Sequence, residues 1–299
     1  VLNPLFLCFL AILVVRALIS PMGEVRMMEA EGAYASGAFF TGVLEGYNTM
    51  DALASLAFGI IVVNVIRGLG VEEPEHTAKN TVKAGIFSSL LMAAIYLLVT
   101  LVGAQSRAVI GVSENGGVAL AGIAEHYFGA AGALILAATV TLACLKTAVG
   151  LITSCGETFE EMVPKGPSYK VWAVGFCVIS FVIANLGLNS IIAYSVPVLM
   201  FLYPLAITLI LLTIFGKCFG NDAVMYRWVT GFTAVASVVD FVNALPEAAQ
   251  KFLHLGTFVE TAKSILPFAD LGFGWVCPAL LGLVIGTVHV MIRKKEVRG

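Results

Sequence analysis

Charge is scarce in this sequence. Only 12% of its 299 residues are Asp, Glu, Lys or Arg, while 59% are apolar and the mean hydropathy is +0.96. Soluble domains carry about 25% charged residues, so a water-soluble globule is excluded. Positive charge is not in excess either: 17 Lys and Arg stand against 19 Asp and Glu. A nucleic-acid partner, which calls for a basic patch, is therefore not expected. None of the six cysteines forms a CxxC pair, so neither a disulfide framework nor a zinc site is suggested, and they read as small buried hydrophobes. HExxH, GxSxG and Walker motifs are missing, as is a GxGxxG followed by a suitable βαβ unit. Asp51 and Asp240 could pair as an intramembrane aspartyl dyad, but neither sits in a glycine-flanked motif. An intramembrane enzyme is thus the weaker alternative, and no metal or tightly bound cofactor is expected.

What is present is a series of long apolar runs. A bilayer core about 30 Å thick needs roughly 20 apolar residues per helix. The runs lie near residues 2–19, 33–66, 82–102, 129–155, 171–188, 191–215, 228–245 and 272–292. They predict an all-α polytopic membrane protein with about eight transmembrane helices. The fifth and sixth are joined by a tight turn, Asn185 to Asn189. With an even number of crossings both ends share one side. That side holds Arg67, Lys79, Lys83, Lys165, Lys170, Lys217, Arg227, Arg293, Lys294, Lys295 and Arg298, whereas the other has Arg26, Arg107, Lys251 and Lys263. The positive-inside rule places both termini in the cytoplasm. Of the outer loops, residues 104–128 predict a turn at Asn115 followed by a short amphipathic helix, and residues 246–270 a second amphipathic stretch.

Ionisable groups at membrane depth are costly and usually face a bundle interior or aqueous cavity. His289 lies a turn from the Arg293 cluster and reads as interfacial; Asp240 reads as a helix-end carboxylate near headgroups or Asn243. The second run is more informative. Its middle, Glu45-Gly-Tyr-Asn-Thr-Met-Asp51, combines glycine, a poor helix former, with Asn and Thr, which bond the backbone locally. A helix interrupted at membrane depth is tolerated only where the freed backbone is buried in protein or lines a cavity, and such helices form the binding sites of secondary transporters. A long, tilted helix with a packed polar patch is the competing reading. In the fourth run Lys146, Gly150, Thr153 and Glu157 share one small, polar helix face. Lys146 is too deep to snorkel with ease, so a partner is expected, either Asp51 or a freed carbonyl; a structural ion pair fits equally well. Pro197 and Pro204 predict a kinked sixth span.

Several segments together carry a resemblance: Gly46-Tyr-Asn-Thr-Met-Asp51 leading into Phe58-Gly-Ile-Ile-Val-Val-Asn64, Leu142 to Cys155, Asn185-Leu-Gly-Leu-Asn189, and Ser195-Val-Pro197. In order and spacing the chain resembles the bacterial branched-chain amino acid carriers, the leucine-isoleucine-valine cation symporters, over essentially its whole length. Members of that family are similar to LeuT-like, five-plus-five inverted-repeat transporters of the APC superfamily. The resemblance implies a single transmembrane domain over 1–299 corresponding to spans five to twelve, with the first four missing. Residues 1–19 would be the last helix of the first repeat, 33–215 the second repeat, and 228–292 two accessory helices. It further implies uptake of leucine, isoleucine and valine across the bacterial plasma (inner) membrane, driven by sodium or protons, with no protein partner required beyond the lipid bilayer. In the segment Gly46, Tyr47, Asn48, Thr49 to Asp51, backbone groups and Tyr47 would face the amino acid. A carbonyl and two hydroxyls at spacing 0, +3 and +4 would bind sodium, positions occupied here by Ala143, Lys146 and Thr147. Lys146 departs from the hydroxyl pattern, so the ammonium is expected to stand where sodium otherwise sits, leaving protons, or sodium bound elsewhere, as the driver. An amino-acid permease of other specificity remains the alternative.

Overall fold

Apolar runs that cannot hydrogen-bond to lipid must satisfy their amides internally, and helices do this within one segment. In a computed structural model describing residues 2–27, 29–70 and 73–296, every regular element among the described residues is helical. In order these are α1 (Leu2–Ile19), α2 (Tyr34–Asn48), α3 (Asp51–Gly68), α4 (Pro74–Ile110), α5 (Gly116–Met162), α6 (Tyr169–Ala184), α7 (Leu188–Ile214), α8 (Ala223–Ala244), α9 (Glu247–Phe252), α10 (Gly256–Ile265) and α11 (Val276–Glu296), with short 3-10 turns between some.

Each apolar run becomes helix, yet fewer than eight meet the full requirement for a crossing. Four described helices are long and apolar enough, Glu75–Ile110, Gly116–Met162, Leu188–Ile214 and Val276–Arg293, or five if α2 and α3 together make one crossing. The difference has physical causes. The described apolar stretches Leu5–Ile19 and Tyr169–Ala184 are short, and α8 is diluted by Thr230, Thr233, Ser237 and Asp240.

The chain divides into two compact units, residues 1–30 with 57–181, and residues 31–56 with 182–299. In the first unit α1 packs on α4 and α5 around buried Leu13, Val14, Ala17, Val102, Ile123, Ala124 and Leu136. The amphipathic helix expected after Asn115 is present. Asn115 caps it by accepting from the Val118 amide at 3.1 Å, and Gly129, at φ 64° and ψ −161°, separates it from the rest of α5. Only a residue without Cβ takes that conformation cheaply. Tyr127 ties this piece to the end of α1, donating to the Ser20 carbonyl at 2.7 Å while the Arg16 guanidinium lies 5.7 Å from its ring centre.

In the second unit α8 lies between α7 and α11. Tyr226 donates to the Leu212 carbonyl at 3.1 Å and Phe201 meets Phe241, so α7 and α8 run antiparallel. α7 remains one helix across Pro197 and Pro204; Thr208 donates to the Pro204 carbonyl at 2.8 Å. α8 and α11 approach closely because α11 presents glycines. A Cβ at Gly282 would stand 2.8 Å from the Trp228 carbonyl oxygen and 2.9 Å from Val229 Cα, and one at Gly286 would meet Met225 Sδ at 2.6 Å. Close approach over small residues is how lipid-embedded helices gain packing energy without a hydrophobic driving force. The amphipathic stretch expected at 246–270 is α9 and α10; Gln250 of α9 donates to the Asn243 and Leu245 carbonyls at the end of α8.

Gly282→Ala therefore has to push backbone apart. It should destabilise the fold by about 1 to 3 kcal/mol, read as a fall in thermal unfolding midpoint in detergent. Gly175→Ala, at a position with nothing within 4 Å of the added carbon, should be neutral or slightly stabilising.

Candidate functional site

The second unit contains a broken helix where the sequence places one. α2 ends at Asn48 and α3 begins at Asp51; between them Met50 has φ 64°. The interruption is narrower than expected. Gly46, Tyr47 and Asn48 are still helical, and Gly46 contributes nothing a larger residue would prevent, since a Cβ there would meet nothing within 4 Å. A non-glycine residue in the left-handed region costs roughly 1 to 2 kcal/mol, so local hydrogen bonds must hold it. Thr49 Oγ lies 2.8 Å from both the Gly46 carbonyl and an Asp51 carboxylate oxygen. The Met50 amide donates to the Tyr47 carbonyl at 3.1 Å, and the Met50 carbonyl accepts from Ala54 at 2.8 Å, opening α3. Asp51 stands in the first turn of α3, where a carboxylate is favoured by the amide end of the helix.

The break has an aromatic wall. Tyr47 stacks on Tyr203 of α7, ring centres 4.9 Å apart and planes 16° apart, and Phe273 stands 6.3 Å from Tyr47. Tyr203 is only 2% exposed. Its hydroxyl has no hydrogen-bond partner of normal geometry, yet it lies beside the Met50 amide and within electrostatic reach of Asp51. Asn48 donates to Glu45 at 3.5 Å, whereas its own side-chain oxygen is buried without a partner. The arrangement brings the adjoining ends of α2 and α3, a carboxylate and two side-chain oxygens without a partner beside flat aromatic rings. Chemically it can bind a small amphiphile with charged and apolar ends; it holds no nucleophile-and-base pair.

Of the substrate-site residues expected from the sequence, Gly46, Tyr47, Asn48, Thr49 and Asp51 thus lie at one place. Tyr203 and Phe273 join them without a sequence expectation. Tyr203 lies within the stretch 195–204, and a tyrosine between its two prolines is the one local signal for it. Phe273 precedes α11 in an apolar Gly-Phe-Gly-Trp run with nothing to mark it.

Ala143, Lys146 and Thr147 belong to the first unit, on α5. Thr147 donates to the Ala143 carbonyl at 3.1 Å, so the carbonyl and hydroxyl of that trio are already joined in ordinary helix. Lys146 is exposed and makes no ion pair within its unit among the described residues; its neighbours on α5 are hydroxyl and apolar side chains that offer no countercharge, and Asp51, the partner expected from the sequence, belongs to the other unit. Gly150 on that face lets Phe58 approach, its ring 3.2 Å from where a Cβ would be. No cluster of three or more metal-ligating side chains occurs among the described residues. His289, expected at the interface, accepts from the Trp228 indole at 3.0 Å, near the Asp222–Arg293 ion pair.

These features define a multi-pass membrane protein with a helix broken beside a stacked pair of tyrosines, one of them buried. Comparison of sequences narrows the class. A family model for branched-chain amino acid transport proteins matches residues 1–293, and the chain belongs to that family. It is 47% identical over 295 residues to the branched-chain amino acid permease BrnQ of Lactobacillus delbrueckii subsp. lactis, covering 99% of this chain and 65% of that protein. It is 37% identical over 288 residues to the permease BraB of Bacillus subtilis, covering 96% of this chain and 63% of BraB. It is 35% identical to the branched-chain amino acid transport system 2 carrier protein of Pseudomonas aeruginosa, with the same coverages of 96% and 63%. These relatives are transporters and not enzymes. The chain spans a little under two thirds of the length of each. No solved structure matches it.

Thr49→Val removes the hydroxyl that joins Gly46 to Asp51 while keeping the shape. A loss of about 0.5 to 1.5 kcal/mol in stability is expected, read by thermal unfolding, and Thr49→Ser should retain most of it.

Proposed function

We propose that this chain provides the substrate site of a secondary transporter that carries leucine, isoleucine and valine into a bacterium with an inward-moving cation, sodium or a proton. The observation that carries the reading is the break at Thr49–Met50 facing Tyr47 and Tyr203, in a chain whose relatives are named as branched-chain amino acid permeases. The first amides of α3 suit a carboxylate, the last carbonyls of α2 suit an ammonium, and the rings of Tyr47, Tyr203 and Phe273 offer an apolar surface to a branched aliphatic side chain. An aliphatic pocket separates side chains differing by one methylene by only about 1 to 3 kcal/mol, so overlapping substrates follow.

In this reading the protein is an inner-membrane carrier with both chain ends cytoplasmic and no obligate protein partner. Its helices take the places of spans five to twelve in a five-plus-five inverted repeat. Ala143, Lys146 and Thr147 form the coupling position, where the Lys146 ammonium substitutes for a bound sodium ion.

Binding of radiolabelled valine to the chain in lipid vesicles tests the site. Leucine and isoleucine should compete within about tenfold of valine, and lysine or glutamate should not. Tyr47→Ala should weaken binding by about tenfold or more, equivalent to 1.4 kcal/mol. Equal competition by lysine, or unchanged affinity in Tyr47→Ala, would remove the assignment. For coupling, Lys146→Met should abolish gradient-driven uptake while leaving valine binding within about threefold; near-normal uptake would show that Lys146 plays no part. Valine uptake that collapses when choline replaces sodium, at constant proton gradient, would count against the ammonium substitution.

A further inference from the structure

The most isolated charge in the second unit lies away from the broken helix. Thr233 and Ser237 of α8 are 0% exposed and Asp240 9%, and their spacing of four and three puts all three on one helix face. Thr233 donates to the Val229 carbonyl and Ser237 to the Thr233 carbonyl, each at 2.8 Å. Both hydroxyl protons are therefore committed to the backbone, and what the face presents outward is oxygen lone pairs. Asp240 makes no hydrogen bond and no ion pair among the described residues, and its Oδ2 is fully buried without a partner. The carboxylate stands four residues before the end of α8, where the last carbonyls of the helix add negative potential. The headgroup-facing role expected for it from the sequence does not hold, because it is covered by protein.

Among the described residues of this unit no fixed positive charge answers it; on α9, which reaches the end of α8 through Gln250, Lys251 is paired with Glu247 at 3.2 Å. α7 carries only Tyr194 and Tyr203 as titratable side chains, and Tyr203 faces Met50 and Asp51 instead. On α11 His289 is engaged with Trp228, and Arg293 with Asp222 at the opposite end of α8; Cys277 is the remaining titratable side chain near the start of that helix. On α10 Glu260 is exposed and Lys263 half-exposed, and neither pairs with Asp240. α8 itself has its other charges, Asp222 at the cap and Arg227, at its start. α7 and α11, which cover α8, are both long and apolar enough to cross a bilayer. A lone ionised carboxylate is not retained in such surroundings without a compensating charge.

We propose that Asp240, with the hydroxyl oxygens on the same face of α8, forms a binding site for a single positive charge, a proton or a sodium ion, in the C-terminal helices. A proton converts the orphan acceptor into a neutral donor. A sodium ion is instead held by the carboxylate and the free lone pairs of Ser237. Either neutralises the buried charge, and the site is separate from the amino-acid site at the broken helix.

Thermal unfolding of the chain in nanodiscs, without amino acid, reads this site independently of transport. The wild-type midpoint should rise either as pH falls from alkaline values at constant sodium, identifying a proton, or as sodium replaces choline at fixed pH, identifying sodium. Asp240→Asn, already neutral, should lose that response and sit at or above the saturated wild-type midpoint. Asp240→Glu, which keeps the charge on a longer stem, should keep the response with a displaced half-saturation point, and it serves if the Asn variant does not fold. Ser237→Ala should weaken a sodium response and leave a proton response in place. A wild-type midpoint insensitive to both ions, or a response unchanged in Asp240→Asn or in Asp240→Glu, overturns the proposal.

Discussion

The bilayer core supplies no water to an amide, and most of this structure follows from that single deficit. A residue whose N–H or C=O leaves the helical ladder inside lipid must find a protein partner at once. The chain leaves the ladder at Met50, and the surroundings of that residue are the repair. Thr49 bridges the Gly46 carbonyl and Asp51, and the Met50 amide turns back to Tyr47. The buried Tyr203 hydroxyl waits beside it without a partner of its own. A break so economical, with one residue in the left-handed region and helix resumed immediately, keeps the backbone groups around it hydrogen-bonded. It places the adjoining ends of α2 and α3 beside the stacked Tyr47 and Tyr203 rings.

The same deficit explains which parts of the fold were legible in the sequence. Apolar runs are dictated by lipid, so each of them is helical, α1 at its expected limits Leu2–Ile19, while α4 and α5 extend well beyond their apolar cores to Pro74–Ile110 and Gly116–Met162. The turn at Asn115 and the short helix after it were legible because the side-chain chemistry there is local, whereas the backbone break at Gly129 carries no mark of its own among the chain's many glycines. The break near Thr49 was legible for the same reason, although Gly46 drew weight that belongs to Thr49 and Met50. What a pattern of residues cannot convey is which polar side chain meets which across helices. Asp240, which reads as peripheral in the sequence, is covered by protein. The pairing of Tyr47 with Tyr203, 156 positions apart in the chain, and of Trp228 with His289 depends on helix packing that no local signal encodes.

Hydroxyl groups show how such packing sets chemistry. In α5, α7, α8 and α11, Thr139, Thr147, Thr208, Thr233, Ser237 and Thr287 all donate to a carbonyl of their own helix one turn back. Each bond hides a proton that lipid cannot accept, and each leaves the oxygen turned outward as an acceptor alone. A helix face treated this way is compatible with apolar neighbours but cannot stabilise an anion. Where a carboxylate joins the face, as Asp240 does, its lone pairs compete with those of the hydroxyls for the same missing positive charge. The broken helix escapes that limit, because the start of α3 brings backbone donors to the spot where Asp51 stands. The two acidic positions therefore differ in kind. Asp51 has helix amides to answer its charge and sits between opposite helix ends, whereas Asp240 has hydroxyl acceptors on its own helix face and no positive partner among the described residues of its unit.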